Sequence, residues 1–83
     1  MKQYAVCFTY SFDNDASVYL FDTYEEAIKF LKDAFENELR IDTEENEWDS
    51  VGEITEDSLY AKITTRFRDH ENITEFHCAN VYE

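Results

Sequence analysis

From Thr23 onward the chain carries its most regular signal: Tyr24, Ala27, Ile28, Leu31, Phe35 and Leu39 recur at three- and four-residue spacing. At 3.6 residues per turn these side chains form one apolar stripe, so the spacing predicts an amphipathic helix running to about Leu39–Ile41. Its start is marked by Thr23-Tyr24-Glu25-Glu26, a capping box in which the Thr hydroxyl and the Glu carboxylate satisfy amides that the first turn leaves unpaired. Glu25 with Lys29, and Glu36 with Arg40, stand four residues apart and are expected to pair on the exposed flank. The constraint is geometric: one helix covers one face of whatever it packs against, and the rest of the chain must supply the other layer.

That layer reads as strands. Over residues 3–12, Tyr4, Val6, Phe8, Tyr10 and Phe12 alternate with smaller or polar residues and would share one face. Asp13-Asn14-Asp15 is turn chemistry, and Val18 to Phe21 reads as a short returning strand, giving a hairpin. Leu59, Ala61, Ile63, Thr65 and Phe67 alternate with Tyr60, Lys62, Thr64, Arg66 and Arg68, the pattern of a half-buried strand with a cationic outer face. Asp69-His70-Glu71-Asn72 marks a turn, and Ile73 to Val81 forms a closing strand. The expected fold is therefore α+β: an antiparallel sheet of about four strands in the order β-β-α-β-β, with the helix packed on one face.

At 83 residues, with one Gly and no Pro, the chain has neither a flexible linker nor a rigid spacer and reads as one small acidic domain. A chain of this size buries only about 60–65 % of the surface its unfolded form exposes, so little apolar material is spare. Yet it holds seven Phe, six Tyr and one Trp, too many for a disordered acidic tail. The second sheet face is left open by a single helix, and the strand alternation assigns it aromatics from a set including Tyr19, Phe21, Tyr60, Phe76 and Tyr82. Such a face implies a homodimer or a partner; alternatively the acidic segment folds back over it with Trp48 as anchor.

That acidic segment runs from Asp42 to Asp57. It carries eight acids (Asp42, Glu44, Glu45, Glu47, Asp49, Glu53, Glu56 and Asp57) and no base, with Trp48, Val51 and Ile54 as its large apolar residues. It reads equally as a loop, as a short second helix opened by Thr43, or in part as a strand around Val51–Ile54, with Gly52 arguing for a break. Twenty acids against seven bases give a net charge of −13. This argues against direct binding to nucleic acid or an anionic membrane, both of which require Lys and Arg against phosphates, and it favours a basic protein partner.

The chemistry-bearing residues form no signature. Asp13-Asn14-Asp15-Ala16-Ser17 begins like a calcium loop, but Val18 stands where the sharp-turn Gly belongs and Tyr24 where the bidentate Glu belongs. His70, His77, Cys7 and Cys78 lack zinc-finger spacing, and His77 and Cys78 are adjacent in a strand and so face opposite ways. No apolar stretch suggests export or a membrane span, so the two cysteines read as reduced thiols of a cytoplasmic protein. No catalytic residue, cofactor or metal is assigned, and the chain reads as a binding module rather than an enzyme.

No motif places it in a family. Its character (small, very acidic, aromatic-anchored, without a catalytic set) resembles that of inhibitors encoded by phages and mobile elements, including anti-CRISPR, anti-restriction and toxin-immunity proteins. The functional expectation is a small acidic inhibitor, a nucleic-acid mimic acting on a cationic nucleic-acid-handling protein through Asp42, Glu44, Glu45, Glu47, Trp48, Asp49, Glu53, Glu56 and Asp57. The alternative is a structural or regulatory domain that forms a homodimer through an aromatic sheet face.

Overall fold

The computed structural model describes residues 2–11 and 13–82, with the side chains of 2, 13–15 and 80–82 left aside. Chain order is β1 (Lys2–Tyr10), β2 (Asp13–Phe21), α1 (Tyr24–Arg40), a π-helical turn (Ile41–Glu45), β3 (Asp49–Ile54), β4 (Tyr60–Arg66) and β5 (Glu71–Tyr82). The strands form one antiparallel sheet in the order β2-β1-β5-β4-β3. The α+β class and the single packed helix are as expected, with five strands rather than about four. The extra strand is β3, formed by the second half of the acidic segment.

Thr23 caps α1 as its sequence predicts. Its hydroxyl accepts from the Glu26 amide at 3.2 Å and donates to the Glu26 carboxylate at 2.9 Å, so the carboxylate closes on the hydroxyl. The flank pairs differ from expectation: Lys29 reaches forward to Asp33 (3.4 Å) and Arg40 to Glu45 (3.9 Å), rather than back to Glu25 and Glu36. All four partners are exposed, and pairs of this kind contribute little.

The helix lays Ala27, Leu31 and Phe35 onto Val6 of β1, Ala61 and Ile63 of β4 and Phe76 of β5, all of them buried. Tyr4, Phe8, Phe21, Phe30, Leu39 and Cys78 pack around this centre. Alternation in β1 and β4 is as predicted, with Val6 and Phe8 beneath the helix and Ala61, Ile63 and Thr65 buried while Tyr60, Lys62 and Arg66 point away.

Three expectations are corrected. First, β2 already begins at Asp13 opposite Tyr10, so Asp13-Asn14-Asp15 are strand residues and not the turn. Asn14 and Asp15 fall in an irregularity of the ladder, between the Tyr10–Asp13 and Thr9–Ala16 pairs. Phe12, assigned to the face of β1, lies outside the described residues. Second, the open face is not the aromatic one. Val6 pairs with Tyr19 on one side and Cys78 on the other, and Phe8 with Phe76. This register carries Tyr19, Phe21 and Phe76 to the helix side, where Phe30 stacks on Phe8 (5.8 Å) and meets Tyr19 (4.9 Å) and Phe21 (5.0 Å). Of the predicted set Tyr60 alone is placed on the open face, and the side chain of Tyr82 lies outside the description. Third, the acidic segment does not fold over that face; it extends the sheet at the β4 edge.

Gly52 has its own reason for being Gly. It pairs with Ile63, under the helix, and a Cβ there would come within 2.7 Å of both Leu39 Cδ2 and Phe35 Cζ. Close approach of the helix, not a break in the chain, requires it. Among the described residues no helix is long and apolar enough to cross a membrane.

Candidate protein-binding surface

Where α1 ends, Thr43 turns its hydroxyl back onto the Leu39 carbonyl (2.8 Å), inside the widened π turn rather than at the start of a second helix. The turn closes through Asn46 N–H donating to the Ile41 carbonyl (2.9 Å) and Trp48 N–H to the Asp42 carbonyl (2.8 Å). Between those donors Glu47 adopts φ 55°, the left-handed conformation that helix ends usually assign to Gly. Glu47→Gly is therefore expected to stabilise the fold by about 0.5–1 kcal/mol, read by urea denaturation. A loss of stability would mean that Glu47 is held there by contacts of its own.

The reversal sets Trp48 at the end of the sheet, 44 % exposed, with its ring edge-to-face on Phe67 (5.4 Å, 70°). Phe67 in turn stacks on His70 (4.9 Å, 21°), and the Asp69 carboxylate lies 2.7 Å from His70 Nδ1. That hydrogen bond holds the Asp69 carboxyl below the usual carboxylate range.

Glu44, Glu45, Glu47 and Asp49, which flank Trp48 in the chain, are exposed, Glu45 beside Arg40. The β4–β5 turn returns beside them, because Asp49 pairs with Arg66 and Arg66 with Glu71. Asp69 and Glu71 thus join this end of the molecule. They were not legible as part of the site because they lie some twenty residues further along the chain.

The remaining predicted residues do not share that surface. Asp42 is 6 % exposed and points inward, lining a cleft of about 110 Å3 with Glu38, Trp48, Thr65, Asn72 and Thr74. Burial pushes the Asp42 carboxyl up, partly offset by a hydrogen bond to the Asn46 side chain; burial and then the Asp42 charge push Glu38 up. Glu53 lies on the open sheet face, 3.7 Å from Lys62. Glu56 and Asp57 occupy the β3–β4 turn. Asp57 accepts there from Thr55 Oγ1 (2.7 Å) and the Leu59 amide (3.0 Å), bonds that hold its carboxyl low. Six strand residues at about 3.3 Å each separate these two from Trp48 by roughly 20 Å. The acidic segment is folded into a cap and an edge, not drawn out as one charged rod.

On the open face a second polar group stands out. Tyr60 pairs with His77, their rings 4.9 Å apart, and the Tyr60 hydroxyl donates to Glu75 Oε2 at 2.5 Å. This bond, with burial and the Glu75 charge, pushes the phenol up to about 12, so Tyr60 stays a neutral donor. His77 Nε2 lies 4.0 Å from the same carboxylate oxygen. Cys7 pairs with His77 on this face, while Cys78 lies on the core side with its thiol pushed up by burial; both are free thiols. No family model matches the chain, and no curated protein matches it.

Proposed function

We propose that the protein is a small acidic inhibitor that binds a cationic, nucleic-acid-handling protein through the end of the sheet around Trp48. The observation that carries this reading is a half-exposed indole whose neighbours in the chain, Glu44, Glu45, Glu47 and Asp49, are all exposed. A large aromatic at the centre with a charged rim is the arrangement by which interfaces combine burial with selection of a partner of opposite charge. The net charge of −13 supports the choice of a basic partner. Because the acids cluster on a cap, they would imitate a group of phosphates rather than the length of a duplex. Free cysteines fit a reducing, cytoplasmic setting, and the character matches the anti-CRISPR, anti-restriction or toxin-immunity type. The aromatic-face homodimer loses the residues that motivated it, since Tyr19, Phe21 and Phe76 lie on the helix side.

The test starts from a basic protein retained by the tagged chain and identified by mass spectrometry. Its dissociation constant is then measured by calorimetry across a salt series. Changing Glu44, Glu45 and Glu47 to Gln and Asp49 to Asn removes four charges at constant size, and is expected to weaken binding more than about tenfold, roughly 1.4 kcal/mol. Affinity should fall with salt, since exposed charges are screened over about 8–10 Å, and a duplex oligonucleotide should compete. A quadruple variant that binds as tightly as the parent at every salt concentration would sink the proposal.

A further inference from the structure

The two edges of the sheet are treated differently. Edge strands present unpaired amide and carbonyl groups, and proteins commonly blunt them with charge. The β3 edge carries Asp49 and Glu53, both exposed. The β2 edge carries six consecutive uncharged residues, Ala16 to Phe21, in a protein whose net charge is −13. Val18 is 58 % and Leu20 56 % exposed, and Tyr19 between them is exposed as well. Val18 and Leu20 pair with Cys7 and Ala5 on the open face, whereas Tyr19 leans on Phe30 and Phe8 on the helix side. Apolar surface therefore borders the free backbone on both faces, as a strand-accepting edge requires.

Charge selects the occupant. Asp13 and Asp15 stand at the start of β2 and Asp22 just past its end. In a second copy, the one antiparallel register that pairs the six uncharged residues with themselves brings the acidic flank before Ala16 of one chain to the same end as Asp22 of the other. Like charges across strands oppose pairing, and both bodies carry the same −13. An extended segment with apolar residues at alternate central positions and Lys or Arg at both ends meets the opposite situation. We infer that the β2 edge accepts such a segment of a partner protein as a sixth, antiparallel strand, its central side chains lying beside Val18 and Leu20 on one face and Tyr19 and Phe30 on the other. This surface is at the far edge of the sheet from Trp48 and does not depend on the function proposed for that end.

The probe is a fluorescein-labelled nine-residue peptide with alternating Val and Thr at its five central positions and two Lys at each end, followed by anisotropy. Saturable binding is expected, at least tenfold weaker for the same peptide with Pro at its centre, which cannot donate to the ladder. Val18→Glu and Leu20→Glu should each weaken binding about tenfold or more although each adds a negative charge. Val51→Glu on the β3 edge, and the quadruple variant at the Trp48 end, should leave it within about twofold, which separates a failure here from a failure there. Equal or tighter binding by Val18→Glu would reduce the attraction to charge alone and overturn the inference. So would the absence of saturation up to about 1 mM, or a dimer of the unliganded chain in sedimentation equilibrium that Val18→Glu dissociates, since a second copy would then hold the edge.

Discussion

Leu31→Ala is expected to cost about 2–5 kcal/mol, and Phe35→Ala a similar amount, in equilibrium urea denaturation. Leu31 is fully buried at the centre of the helix–sheet interface, where it packs among Val6, Ala61, Ile63 and Phe76. Truncation removes its transfer free energy and also leaves a cavity that the sheet beneath cannot close, because close-packed interiors relax only in part. Phe35 meets Phe76 edge-to-face at 5.9 Å, so its loss strips a ring contact as well. Small domains have a total stability of roughly 5–10 kcal/mol, so either change alone removes a large fraction of it. Losses below about 1 kcal/mol for both would mean that α1 does not bury this stripe.

Gly52→Val is expected to destabilise by about 1–3 kcal/mol through crowding rather than through the backbone. The added Cβ meets Leu39 Cδ2 and Phe35 Cζ, each at 2.7 Å. Leu39 is only partly buried, but the Phe35 ring is held against Phe76 and cannot retreat without opening the core. Adding Phe35→Leu to Gly52→Val should then cost less than the sum of the two single changes, since the shorter side chain vacates the contested space; a double-mutant cycle measures that coupling. Strict additivity would show that Gly52 and Phe35 do not press on one another.

Both changes act on residues whose legibility in the sequence differs. Leu31 and Phe35 stand in a stripe of period 3.6, and that period arises only from a helix with one buried side, so helix and core could be read together. Ala61, Ile63 and Thr65 were equally legible through their alternation. Gly52 was not, because the atoms that exclude a Cβ there come from α1, thirteen and seventeen residues earlier. The aromatic face shows the same limit. Parity within a strand places Tyr19 and Phe21 together, but which side they share with Phe8 depends on the register Val6 to Tyr19, and nothing local encodes that register. Asp13 to Asp15 misled through real turn chemistry, which here falls at an irregularity of the β1–β2 ladder. In the acidic segment, Asp42 resembles its neighbours in sequence and differs from them only because the π turn rotates it inward beside Glu38.

The strand order has a consequence for how this molecule is assembled. β5 comes after every other strand in the chain, yet it lies in the middle of the sheet, between β1 and β4. The β1–β2 and β3–β4 hairpins share no hydrogen-bonded edge, and within the sheet each is linked to the other through β5. A nascent chain thus holds two hairpins that only the packing of α1 can bring together until residues 71–82 supply the strand between them. Pairing Lys2 with Tyr82 closes a loop spanning eighty positions, so the decisive contacts are the most remote in sequence, and collapse should be slow compared with that of a helical bundle of equal length. During that interval β1 and β4 each expose a bare inner edge. The vulnerable period for mispairing between molecules is therefore the wait for the keystone strand.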